Sequence, residues 1–142
     1  MKMRLVPILC FVVLCMAVLA CEGGTSGSVI NSSQTCRSSR DHVECEGKFG
    51  KLSGTYGEDI EDATISSTDT IDVEMYVTVE SGSIQVSVQG PGGEVSSVQA
   101  GPNQPATLVG VAEGDFESFE VTFEALDDQA TNIHYTISYW IR

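Results

Sequence analysis

The chain is short of positive charge. It holds 7 Lys and Arg against 20 Asp and Glu in 142 residues, for a formal net charge of −13. Between residues 52 and 141 there is no Lys or Arg at all, while acids recur throughout. A surface of this sign repels phosphate backbones, which excludes nucleic acid as a partner. Aromatics make up only 7% and there is a single Trp, but Val and Ile are plentiful, so a core can form without many rings. Signatures of catalysis are missing too. No Gly-x-Ser-x-Gly elbow occurs, and Gly90-Pro91-Gly92-Gly93 leads into no helical pattern that could make it a phosphate loop. The two histidines, His42 and His134, stand in no recognisable constellation. The sequence reads as non-enzymatic, with a small secreted hydrolase as the rival from another class.

Long apolar runs are also absent, with one exception. Lys2 and Arg4 precede residues 5–19, which carry no charge. A membrane-crossing helix needs about 20 apolar residues. This run is shorter, follows a positive flank and ends on a small residue, Ala20, which is the pattern of a secretory signal over residues 1–20. Val18-Leu19-Ala20-Cys21 then resembles the lipobox of bacterial lipoproteins. That resemblance implies cleavage before Cys21 and a diacylglyceryl group on its sulfur. It also implies a lipid bilayer as partner, with the protein outside the cytoplasm on the cell membrane or outer membrane. Several acyl chains on one residue suit stable anchoring, because each buried CH2 contributes about 0.8 kcal/mol and one chain holds only marginally. An ordinary signal cut after Ala20 and an uncleaved anchor are the alternatives. Loss of Lys2 and Arg4 would take the net charge from −13 to −15.

Residues 21–35 are dominated by Gly, Ser and Thr and read as a flexible tether with a reach of about 20 Å. Cys36 and Cys45 follow. Outside the cytoplasm two nearby cysteines pair as a disulfide, here closing a loop of about ten residues. A metal site built from Cys36, His42, Cys45 and His134 is the other reading, although the spacing forms no tight Cys-x-x-Cys ligand pair.

From residue 43 the apolar period is 2, so the elements are strands. Ile71, Val73, Met75, Val77 and Val79 alternate with polar residues, as do Ile84, Val86 and Val88, then Phe119, Val121 and Phe123. Ile133, Tyr135, Ile137, Tyr139 and Ile141 form the clearest inward face. Leu108, Val109 and Val111 give a further strand. Ser81-Gly82 predicts a hairpin turn, and Glu58-Asp59-Ile60-Glu61-Asp62 a loop. Seven or eight short strands with Gly, Pro and Asp turns and no helix predict an all-β domain over residues 36–142. Its architecture would be a two-sheet antiparallel sandwich or jelly roll. Residues 83–93 run from an alternating strand into Gly-Pro-Gly-Gly. With the closing strand up to Tyr139, they look similar to bacterial β-sandwiches of the C-terminal pre-peptidase type. Such modules are accessory, which again implies binding more than catalysis.

Three binding chemistries are open. Calcium wants several oxygens from loop carboxylates, and Asp59, Glu61, Asp62, Asp115, Asp127 and Asp128 are the candidates. The alternative for these acids is a solvated surface, with no cofactor. A glycan could stack on exposed aromatics, for which Tyr76 and Trp140 fall on outward positions. An envelope protein is the third class of partner. The expectation is a lipid-anchored binding or envelope-assembly module.

Overall fold

The computed structural model describes residues 26–142. The expected signal segment, Cys21 and the first residues of the expected tether lie outside them. The strands are β1 (Ser28–Ile30), β2 (Ser33–Ser38), β3 (Val43–Ser53), β4 (Thr55–Glu61), β5 (Thr70–Ser81), β6 (Ile84–Gln89), β7 (Val95–Ala100), β8 (Ala106–Glu113), β9 (Ser118–Ala125) and β10 (Ala130–Ile141). One sheet runs β3-β10-β5-β8, and the other β4-β9-β6-β7. Every pairing between these strands is antiparallel. This order, with the chain changing sheets at almost every connection, is a jelly roll of eight strands. β1 and β2 dock one after the other along the free edge of β3.

The period-2 pattern sets the faces. In β5 every second residue from Ile71 to Val79 is buried, and in β10 the same holds from Ile133 to Tyr139. β6 and β9 supply Ile84, Val86, Val88, Phe119, Val121 and Phe123 from the facing sheet. At the centre the Phe49 ring meets Phe123 edge-on at 5.0 Å and Tyr135 at 5.4 Å, and Phe119 meets Tyr139 at 5.0 Å. Such ring pairs stabilise beyond the area they bury. Gly47 has no side chain because the Tyr135 ring lies directly over it.

Four sequence expectations change. The tether is shorter: residues 28–30 and 33–35 pair with β3, because an edge strand needs backbone partners more than an apolar face. Residues 58–61 are strand, not loop. Glu58 pairs with Val121 and Ile60 with Phe119, so both side chains face between the sheets. Ser81-Gly82 does not make a hairpin. Gly82, at φ 78°, turns the chain out of one sheet into the other, and β6 pairs with β7 and β9 instead of β5. The strand expected at Leu108, Val109 and Val111 is present as β8, with Val109 and Val111 outward and the small residues Gly110 and Ala112 inward beside Leu108. Ile141 faces the same way as Tyr139 but runs past the end of the core and is 37% exposed.

Candidate functional site

The strand register assigns each candidate residue to a place. Asp59 and Glu61 lie on the outer side of β4, and Asp62 and Asp115 follow at the same end of the sandwich. Asp127 and Asp128 lie beyond the far end of β9, eight residues or about 25 Å away. The six acids therefore make no single site. Among the described residues no group of three or more His, Cys, Asp or Glu is arranged to hold a metal ion. Two of the acids hold local structure. Asp127 accepts from the backbone N–H of Ser83 at 2.9 Å. Asp62 accepts from the Thr64 hydroxyl at 2.7 Å, the Thr64 N–H at 2.9 Å and the Tyr139 hydroxyl at 2.8 Å.

Cys36 and Cys45 are bonded to each other, directly opposite in the β2–β3 ladder with Cα atoms 4.0 Å apart. Both sulfurs are occupied, so the alternative set with His42 and His134 does not form. His134 stands on the outer face between Lys48 and Thr78.

Tyr76 and Trp140 share one sheet face. Tyr76 pairs with Thr136 and Trp140 with Asp72, and directly opposed residues face the same way. Four residues along the strands separate the two rings, about 14 Å. The register alone shows this, since sequence cannot say which strands are neighbours.

Trp140 is the better placed of the two. Its ring lies 5.5 Å from that of His42, tilted by 34°. Beside them opens a groove of about 320 Å³ that also takes in Arg40, Asp62, Thr64 and Tyr139. Three segments build it. The turn between β2 and β3 brings Arg40 and His42 and is closed by the Ser39 N–H donating to the His42 carbonyl at 2.8 Å. The end of β10 brings Tyr139 and Trp140. The chain after β4 brings Asp62 and Thr64. Burial raises the carboxyl pKa of Asp62, but the Thr64 hydroxyl, the Thr64 N–H and the Tyr139 hydroxyl together outweigh it and hold Asp62 below the usual range. Burial and then the Asp62 bond push the Tyr139 hydroxyl the other way, well up. Oδ2 of Asp62 accepts one bond from Tyr139, which leaves it acceptor capacity. The groove thus offers a flat apolar ring, a fixed anionic acceptor and guanidinium donors.

Two further features were not expected. Phe116 is 76% exposed on the loop between β8 and β9, and it and Glu117 both have positive φ (28° and 64°). The signal was present: Phe116 falls out of step with the alternation that begins at Phe119. On the open side between β2 and β4, the Tyr135 hydroxyl donates to Glu58 at 3.5 Å and Gln34 donates to that hydroxyl at 3.4 Å. Burial, foremost, raises the Glu58 carboxyl pKa, against the lowering pull of the Tyr56 and Tyr135 hydroxyls. An inward-facing charge on an edge strand discourages pairing with another chain.

No protein-family model matches the chain, and no curated protein sequence matches it. Solved structures are similar in fold only. Oxalate oxidase in complex with glycolate aligns at 16% identity and a TM-score of 0.41, over 85% of this chain and 56% of that one. The chain therefore spans about half the length of that protein. An RmlC-like cupin protein from Desulfovibrio desulfuricans aligns at 13% and 0.38, over 77% and 81%. The structure of Bacillus endospore appendages, described as disulfide-linked pili, aligns at 11% and 0.39, over 86% and 96%.

Proposed function

We propose that the chain is a lipid-anchored, extracytoplasmic binding module without catalysis of its own, and that its jelly roll takes a saccharide in the Trp140 groove. The lipobox-like Val18-Leu19-Ala20-Cys21 supports the anchor. The observation that carries the ligand class is the Trp140 ring set beside His42, with Asp62 and Arg40 at the same groove. A sugar ring has an apolar face that suits a flat aromatic and a rim of hydroxyls that both donate and accept. Asp62 accepts from such hydroxyls, and Arg40 donates to them. Tyr76, 48% exposed on the same face, is a second contact for an extended ligand.

The test is retention on a panel of immobilised polysaccharides. Wild-type protein should be held by at least one, and Trp140→Ala should weaken that retention about tenfold, equivalent to about 1.4 kcal/mol. Equal retention of the two proteins would remove the ligand assignment. Separately, Cys21→Ala should abolish incorporation of a fatty-acid label, and a label that persists would remove the anchor.

A further inference from the structure

We infer that the Trp140 groove faces away from the bilayer that holds the protein, so that its saccharide belongs to material outside the membrane and not to a headgroup of the same membrane. This rests on the anchored reading above and adds a direction to it. β1 begins at Ser28, paired with Ser53 at one end of β3. His42, and with it the groove, lies past Val43 at the other end. The eleven residues of β3 span about 35 Å. From Cys21 to Ser28 there are seven residue steps, which reach about 25 Å at full extension. For the groove to meet the headgroups squarely, Ser28 would have to stand farther from the bilayer than those steps allow.

Lying on one side is the remaining way down, and both sides carry a net negative charge. On the outer face of the sheet that holds Trp140, Glu44, Glu46, Asp72, Glu74, Glu80 and Glu113 outnumber Arg37, Lys48, Lys51 and Arg142. Asp59, Glu61, Glu120 and Glu124 stud the other. Anionic headgroups repel both faces. The anchored end instead presents the loop with Leu126, which is 43% exposed.

Trp140 is the chain's single tryptophan and therefore reports its own position. The lipidated full chain is reconstituted into phosphatidylcholine–phosphatidylglycerol vesicles with and without headgroup spin labels, and its emission is compared. The expected result is no loss for wild type. A Trp140→Phe, Leu126→Trp double variant, which moves the reporter to the anchored end, should lose at least half. Quenching of wild type as deep as that of the double variant overturns the orientation and leaves the anchor standing. Floating vesicles in which neither protein is quenched overturn the close approach of the anchored end, and the orientation with it. Protein that does not float with the vesicles overturns the anchor and this inference together.

Discussion

Breaking the Cys36–Cys45 bond by reduction, with no residue changed, tests how the edge strand is held. The two cysteines are nine positions apart and close a loop of about ten residues. In the chain-entropy account, releasing such a loop in the unfolded chain costs the folded state about 2.7 kcal/mol. For a domain of this size the urea midpoint should fall by about 1–2.5 M. The melting temperature should fall by roughly 10 °C. Cys45 is fully buried and keeps its sulfur on reduction, so no cavity adds to the loss. The assay is urea unfolding followed by Trp140 emission, with and without reductant. Trp140 sits against His42 in the turn that joins the bonded strands, so it reports the region affected. An unchanged slope with a lowered midpoint means that β2 still pairs with β3 when reduced. A shallower slope means that β2 has come away. Coincident midpoints would refute the reasoning, because the bond would then constrain nothing that the ladder does not already hold. Reduction should also weaken saccharide retention, since the turn carries Arg40 and His42.

Phe49→Ala removes the ring around which Tyr56, Phe123 and Tyr135 are arranged and should cost about 3–5 kcal/mol by urea unfolding. Glu58→Gln should raise the melting temperature at pH 7 but not near pH 3. The folded state holds the Glu58 proton more tightly than the unfolded chain, so its ionised form destabilises fully above the raised pKa and ceases to do so below the ordinary one. Tyr139→Phe deletes one of the donors to Asp62, and the Asp62 carboxyl should then titrate at higher pH in a side-chain NMR titration. Because the lowered Asp62 pKa stabilises above the ordinary carboxylate range and that contribution is lost as pH falls through it, this variant should be less stable than wild type at neutral pH, and the gap should close in acid.

The sequence revealed which residues face inward much better than it revealed which strands meet. The alternation from Ile71 to Val79 and from Ile133 to Tyr139 survives unchanged as the buried face of β5 and β10. Partnership is another matter. Ser81-Gly82 looks the same whether the chain folds back on itself or crosses to a second sheet, and only the positions of β7 and β9 distinguish the two. β4 was hidden because its inward row is Tyr56, Glu58 and Ile60, where a carboxylate sits in an apolar place at an open edge. β1 and β2 were hidden because strands that dock on an edge bury little, Val29 being one of their few partly buried side chains. The groove itself was half legible. Trp140 and Asp62 were both singled out, for different ligands, and the fold brings both to the lining of one groove.

Among the described residues the last strand, β10, is the middle strand of its sheet. β10 lies between β3 and β5, so Tyr139 pairs with Val43 on one side and Val73 on the other, with most of the sequence between the first of these partners and the last. Without β10 the sheet is two separate pieces, β3 with β1 and β2, and β5 with β8. Folding of this sheet must therefore wait for β10 and is governed by distant contacts, which makes it slow. A truncation that removes only the end of the sequence would split the sheet down its centre.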